Sequence, residues 1–449
     1  MNTPNIFSTR LPIVALVAAL LAAGCGGGSS SQQTETPTTV TTGTVALLFT
    51  DKPTDEFRAI KLNLVEATLI GGEGQQTLFQ GVKSIDLLDL TNYNEPVVFG
   101  QVEVGIYTKL RLIIDELELV PDDGGPSIFP ALPADGKIDL LEPKGFAVLP
   151  GRTLMAEIDM DANKSIKITG AGKSRRVNFR PVVKAHFMDG GLPDKLARLE
   201  GIVSEIFDSP AGSFRLCSAE MPDNCVTATT SAGTSIFDSE GLATDFATLM
   251  VNDPAVAIGR YVVADDITLD ALIVEIGGNS EQVSGNVVSD PVDKQFLLLS
   301  DDSSDIVVEL QDGTKYFDAV GELGADSVVL GADLEIEGVR PAKADPADPD
   351  LIRAALVFVE AEDDEQLSGT IIEPLDAVAR SFGLTPTAGS DTCVRVDNDA
   401  DILLVDTAAS EITMGTIDDL ALGQVVDLFG ATAEDSCFDA NEVIVDVVP

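Results

Sequence analysis

The sequence contains no tryptophan, four tyrosines and a single histidine, His186, in 449 residues. Each scarcity excludes some chemistry. Carbohydrate clefts usually stack sugars on aromatic platforms, and this chain has few to offer. A zinc centre needs several histidines or free thiolates. A Ser-His-Asp triad needs a nucleophile beside its histidine, and none is identifiable around His186 in Lys184-Ala185-His186-Phe187. Basic residues are scarce as well, with 28 Lys and Arg against 74 Asp and Glu, a formal net charge of -46. A surface that negative repels phosphate backbones and anionic headgroups, so nucleic acid is excluded as a partner. No catalytic residue stands out, and no enzyme is expected.

What is present begins with the N-terminus. Arg10 precedes an apolar run from Leu11 to Ala23, followed by Gly24 and Cys25. The run is shorter than the ~20 residues a spanning helix requires and has the layout of a leader with a small-residue cleavage site. Leu21-Ala22-Ala23-Gly24-Cys25 resembles the lipobox of bacterial lipoproteins, with Ala22 where leucine is commonest. The resemblance implies cleavage before Cys25, acylation of that cysteine and anchoring to a membrane by the lipid; Gly26 rather than aspartate at the next position implies the outer membrane. Residues 1–24 are thus expected to be a signal peptide. Residues 25–42, rich in Gly, Ser, Thr and Gln, are expected to be a flexible tether reaching ~20 Å. The other cysteines, Cys217, Cys225, Cys393 and Cys437, are even in number, which in an exported chain suggests two disulfides. Three pairings exist on paper. Cys217 with Cys225 and Cys393 with Cys437 is favoured because each then closes within one module, for about 2.5 and about 4 kcal/mol of chain entropy.

From 43 to 190 the chain reads as short β-runs broken by Gly, Pro and Asp, for example Thr44-Val45-Ala46-Leu47-Leu48-Phe49 and Tyr107-Thr108-Lys109-Leu110-Arg111-Leu112. Strands without intervening helical periods predict a β-sandwich. Ser84-Ile85-Asp86-Leu87-Leu88-Asp89-Leu90 fits a strand or helical turns equally. The landmarks Leu48-Phe49-Thr50-Asp51-Lys52-Pro53, Ile85-Asp86-Leu87-Leu88-Asp89-Leu90, Gly105-Ile106-Tyr107-Thr108-Lys109-Leu110-Arg111-Leu112, Asp159-Met160-Asp161-Ala162-Asn163-Lys164-Ser165-Ile166 and Phe179-Arg180-Pro181-Val182-Val183 together resemble the bacterial lipoprotein family catalogued as domain of unknown function 4382. The resemblance implies a sandwich on exported, usually lipid-anchored proteins, and no established activity.

The remainder repeats. Leu199-Glu200-Gly201-Ile202-Val203, Val283-Ser284-Gly285-Asn286-Val287 and Leu367-Ser368-Gly369-Thr370-Ile371 space their glycines 84 residues apart twice (285 minus 201; 369 minus 285). Gly233-Thr234 and Gly313-Thr314 mark a turn feeding a strand. Gly259, Gly331 and Gly423 are expected as turns before each module's closing apolar strand. A period this long exceeds that of solenoids and predicts three tandem small β-barrels at 196–279, 280–363 and 364–449, joined like beads on a string. Their plan is loosely similar to domain of unknown function 5666. The fold class expected is therefore all-β, an N-terminal β-sandwich followed by three barrel modules.

Two weaker patterns complete the reading. Gly170-Ala171-Gly172-Lys173-Ser174 is not a phosphate loop, because Lys167 stands where the Walker pattern needs glycine. The basic cluster around that turn, with Arg175 and Arg176, would suit an anionic glycan or lipid. Asp159, Asp161 and Asn163, and again Asp397, Asp399 and Asp401, have the i, i+2, i+4 spacing that can wrap a calcium ion, though neither completes an EF-hand loop. No cofactor is required, and calcium is the one cation considered. The expected function is a non-enzymatic interaction or structural scaffold, an outer-membrane lipoprotein facing the periplasm or the surface. Its partners would be the membrane, through the lipid, and an envelope protein or glycan. The competing expectation is a calcium-dependent glycan binder or a carboxylate-dependent hydrolase.

Overall fold

The computed structural model describes residues 42–51, 57–72, 74–121, 125–169, 176–189, 195–207, 212–219, 222, 224–263, 267–301, 304–343, 345, 349–360, 365–376, 378–433 and 435–447. Cys25, the leader, the tether and the turn at 170–175 lie outside them. Among the described residues no helix is long and apolar enough to cross a membrane.

The first ten strands are β1 (Thr42–Thr50), β2 (Phe57–Gly71), β3 (Gly74–Asp86), β4 (Tyr93–Glu103), β5 (Gly105–Pro121), β6 (Lys137–Val148), β7 (Thr153–Met160), β8 (Ile166–Thr169), β9 (Arg176–Phe179) and β10 (Val183–Asp189). One sheet runs β10-β7-β1-β4 and another β6-β5-β2-β3, while β8 and β9 form a small ribbon. The side chains of Val45, Leu47 and Phe49 meet Leu62, Leu64, Leu110 and Leu112 in one core, which makes the pair of sheets a sandwich. The ambiguous segment is both things in turn: β3 ends at Asp86 and a 3-10 turn follows at Leu88–Leu90.

The unbroken apolar run of β1 has a simple cause. Val45, Leu47 and Phe49 face the sandwich core, whereas Ala46 and Leu48 face the opposite way into a second core shared with Leu199, Leu216 and Leu269. A strand buried on both faces has no side left to be polar.

The first repeat holds β11 (Leu196–Phe207), β12 (Ser213–Cys217), β13 (Cys225–Thr229), β14 (Ser235–Phe237), β15 (Pro254–Val263) and β16 (Ile267–Ile276). The second holds β17 (Ser280–Val287), β18 (Gln295–Ser300), β19 (Asp305–Phe317), β20 (Asp333–Val339) and β21 (Asp350–Val359), which close a barrel in the order β17-β18-β19-β21-β20. The third holds β22 (Glu365–Ile371), β23 (Ser381–Pro386), β24 (Thr392–Asp406), β25 (Glu411–Met414), β26 (Val425–Thr432) and β27 (Phe438–Asp446).

The recurring residues have a common physical role. A Cβ on Gly201, Gly285 or Gly369 would stand 2.2, 2.3 or 2.5 Å from a neighbouring strand's carbonyl oxygen, so the barrel can coil there only around a glycine. Thr234 and Thr314 act as latches. Each hydroxyl accepts from the backbone N–H three residues earlier (2.8 and 2.7 Å) and donates to the carbonyl of Ala271 or Ala354 on the module's last strand (2.6 Å in both). One expectation is corrected. Gly259 is not a turn but lies inside β15, where its missing Cβ admits the carbonyl of Asp270, as Gly338 and Gly430 admit theirs. The turn equivalent to Gly331 and Gly423 (φ +85° and +86°) is Asn252 at φ +76°, a residue type that tolerates the left-handed region.

The modules are also not beads on a string. Residues Thr41–Pro449 form one compact unit. Parallel pairing of β11 with β4 extends one sandwich sheet into the first repeat, and pairing of β25 with β6 extends the other into the third. Leu403, Val405, Ile412, Phe429 and Ile444 of the third repeat belong to the sandwich core itself. Outward-facing apolar residues on a barrel strand drive this, because they need a partner surface to leave water.

Candidate functional site

Beside β4, where the sandwich meets the first repeat, lies a cleft of about 420 Å³. Its apolar walls include Phe99, Leu199, Leu216 and Val226, and its charged groups are Lys83, Glu95, Arg198 and Glu200. The charges are already matched in pairs: Lys83 with Glu95 at 3.5 Å, and Arg198 with Glu200 at 3.1 Å. Ser218 is the only hydroxyl among the lining residues, and no histidine is among them. The cleft has the size of a small-ligand pocket.

Arg198 also marks the edge of a buried polar joint. Its guanidinium forks Glu337 of β20, with Nε–Oε2 and Nη2–Oε1 both at 3.1 Å. Ser280 at the start of β17 contacts Glu275 of β16 at 2.7 Å and also Glu337. Asn92, just before β4, donates to Glu335 at 2.9 Å. Thus one cluster ties together the sandwich, the first repeat and the second. Burial, with Glu337 adding to it, pushes the Glu275 carboxyl up to about 8, and burial with Glu360 does the same for Glu335, also to about 8. An apolar seam of Tyr93, Leu196, Phe237, Ile258, Phe317 and Leu356 continues the joint.

A second ionic cluster seats the third repeat. Lys184 of β10 reaches Glu442 of β27 at 2.6 Å and Asp401 of β24 at 2.8 Å. Lys164 reaches the same Glu442 at 2.9 Å and Asp161 at 2.8 Å, and lies 4.0 Å over the Phe429 ring. Burial works against each charge, yet the opposing partners win: Lys184 is raised, and Glu442 is held below the usual carboxylate range. Arg180 bonds Asp427 at 3.1 Å and also Asp446, and Lys109 bonds Glu411 at 3.0 Å. In every one of these inter-module pairs the cation comes from the sandwich and the anion from the third repeat. Asp139, beside Lys109, is drawn down to about 2, because hydrogen bonds from Arg111 and Lys109 outweigh its burial.

The residues singled out in the sequence take the following places. Cys217–Cys225 and Cys393–Cys437 are disulfides, with Cα atoms 4.0 and 4.8 Å apart. Asp161 caps a short helix, α1 (Ala162–Ser165), through the Lys164 amide at 2.9 Å and pairs with the Lys164 ammonium. Asp159 stands in β7 and Asn163 in α1, the latter's side chain outside the described set. Asp401 is engaged by Lys184, while Asp397 and Asp399 are exposed in the bend of β24. Among the described residues no group of three or more His, Cys, Asp or Glu is arranged to hold a metal ion. Lysine ammonium groups pair with one carboxylate of each triplet, Lys164 with Asp161 and Lys184 with Asp401. His186 is exposed on β10 opposite Glu157.

Sequence reading missed Arg198, Glu275, Glu335, Glu337, Lys184 and Glu442. The signal was present in Leu334-Glu335-Ile336-Glu337, whose alternation resembles a half-solvated strand. In the folded chain both faces are buried, Leu334 and Ile336 inside the barrel and Glu335 and Glu337 in the joint.

The landmark carboxylates of the first domain are fasteners: Asp51 accepts from the Ala162 amide at 2.9 Å and Asp86 from the Ile60 amide at 3.0 Å. No curated protein matches the chain. Residues 42–181, the segment these fasteners hold together, match the family described as Domain of unknown function (DUF4382).

Proposed function

We propose that this protein is a non-enzymatic scaffold or interaction protein of the cell envelope, held to the outer membrane by acyl chains on Cys25. The observation that carries the scaffold reading is the use made of buried charge. Lys164, Lys184 and Arg198 each join one module to another, so the chemistry that low dielectric would sharpen is spent on rigidity between domains. A rigid body with 74 acidic residues offers partners a large, fixed, negative surface. The lipobox-like segment supports the anchor, and two disulfides support an oxidising compartment.

Two measurements test the reading. Mass spectrometry of the mature N-terminus should find Cys25 acylated, and Cys25→Ser should release the chain from the membrane fraction; an uncleaved leader refutes the anchor. Small-angle scattering of the folded chain should give a radius of gyration near 22 Å, the value for one compact body of roughly 400 residues. A much larger value, as from flexibly strung domains, refutes the rigid scaffold.

A further inference from the structure

The joint between the sandwich and the first two repeats poses a problem of hydrogen count. The Ser280 hydroxyl touches two carboxyl groups, Oε2 of Glu275 at 2.7 Å and Oε1 of Glu337, and has one hydrogen to give. Both oxygens of Glu337 already accept from Arg198. If Ser280 donates to Glu337, the contact with Glu275 sets two acceptors face to face, unless Glu275 brings a hydrogen of its own. The remaining oxygen of Glu275 is buried with no hydrogen-bond partner among the described residues, an arrangement costly for a carboxylate and mild for a carboxylic acid. Glu335 repeats the pattern: one oxygen accepts from Asn92 at 2.9 Å and the other is buried without a partner.

Acids outnumber cations around these groups. Asp89 in the 3-10 turn, Tyr93 of β4, Glu200 of β11 and Glu360 after β21 face the cluster, and Arg198 is the cation that opposes them there; Lys83 and Lys61 stand farther out, beside Glu95 and Asp86. Glu275 is 2% exposed, Glu335 4% and Glu337 0%, so water screens little of the repulsion.

We infer that the joint is a proton-loaded latch: Glu275 and Glu335 each hold a proton that seats the second repeat, and raising the pH through neutrality empties both and loosens that seat. The sign follows from linkage. Both carboxyls bind protons more tightly in the closed joint, near 8, than when exposed, near 4.5. Their contribution is complete below about 4.5, declines as the pH rises, and is gone above about 8. Between those two values the closed form holds two protons that the open form has released.

Native-state hydrogen exchange of the β17 and β20 amides in the whole chain, corrected for the intrinsic pH dependence of exchange, reads this directly. Between pH 5.5 and 7.5 the opening equilibrium should rise about 100-fold per pH unit, the slope for two protons. Glu275→Gln keeps a donor for Ser280 and should lower the slope to about 10-fold; Glu275→Gln with Glu335→Gln should nearly flatten it. Should Glu275→Gln fail to fold, Glu335→Gln alone and the protons released on urea unfolding at pH 6.5 give the same count. A flat slope in the natural chain, or an equal slope in the variants, overturns the proposal.

Discussion

Glu442→Ala is the sharpest test of the seam that holds the third repeat. The Glu442 side chain is 2% exposed and one of its oxygens answers two ammonium groups, Lys184 at 2.6 Å and Lys164 at 2.9 Å. Removing it leaves Lys164 with Asp161 and Lys184 with Asp401, each pair now carrying the desolvation that Glu442 had offset. Deleting one partner of a buried pair typically costs 3–5 kcal/mol, and about 4 kcal/mol is expected here. The loss should fall on the third repeat and its seat, so urea unfolding followed by hydrogen exchange should show β27 and β10 losing protection while β17–β21 keep theirs. Replacing both Glu442 and Lys184 by leucine should cost less than Glu442→Ala, since no charge is stranded between those two positions. The pH signs agree with one another. The lowered Glu442 contributes stability above about 4.5 that is lost as pH falls through its folded value, and the raised Lys184 contributes below about 10.5 and loses it as pH rises through its own. The seam should therefore hold across the neutral range. A cost below about 1 kcal/mol for Glu442→Ala would refute the reasoning, because it would mean water screens the cluster.

Two further outcomes are expected. Thr314→Val keeps the shape of the second repeat's latch and removes both of its hydrogen bonds, so it should lower stability by about 1–3 kcal/mol in urea melts, with the barrel's own β19 and β21 exchanging first. Millimolar calcium should leave the thermal melt where it was, because Asp161 and Asp401 are engaged by lysines; a chelator-sensitive shift of several degrees would instead support the calcium reading.

Much of the fold was legible because its signals are local. The glycines at 201, 285 and 369 recur in the sequence because each sits where a neighbouring carbonyl leaves no room for a Cβ. Pairing of the cysteines within modules followed from spacing, and the structure has those pairs. Gly259 misled because a glycine that admits a strand and a glycine that turns the chain look alike in sequence; the equivalent turn had been taken over by Asn252. Spacing in the acidic triplets shows that their carboxylates can converge, but which cations reach them, Lys164 at Asp161 and Lys184 at Asp401, is a matter of three-dimensional neighbours.

The amino-acid sequence by itself determined the all-β character, the internal repeat and the excess of negative charge, since these rest on side-chain alternation, recurrence and simple counting. Only tertiary structure decided that the repeats fold back onto the sandwich. That decision depends on which faces of β1, β20 and β27 find a partner, and on lysines and arginines of the first domain and the first repeat meeting glutamates and aspartates more than a hundred residues away. Burial turns those charges from surface decoration into joints, and burial belongs to the folded chain as a whole.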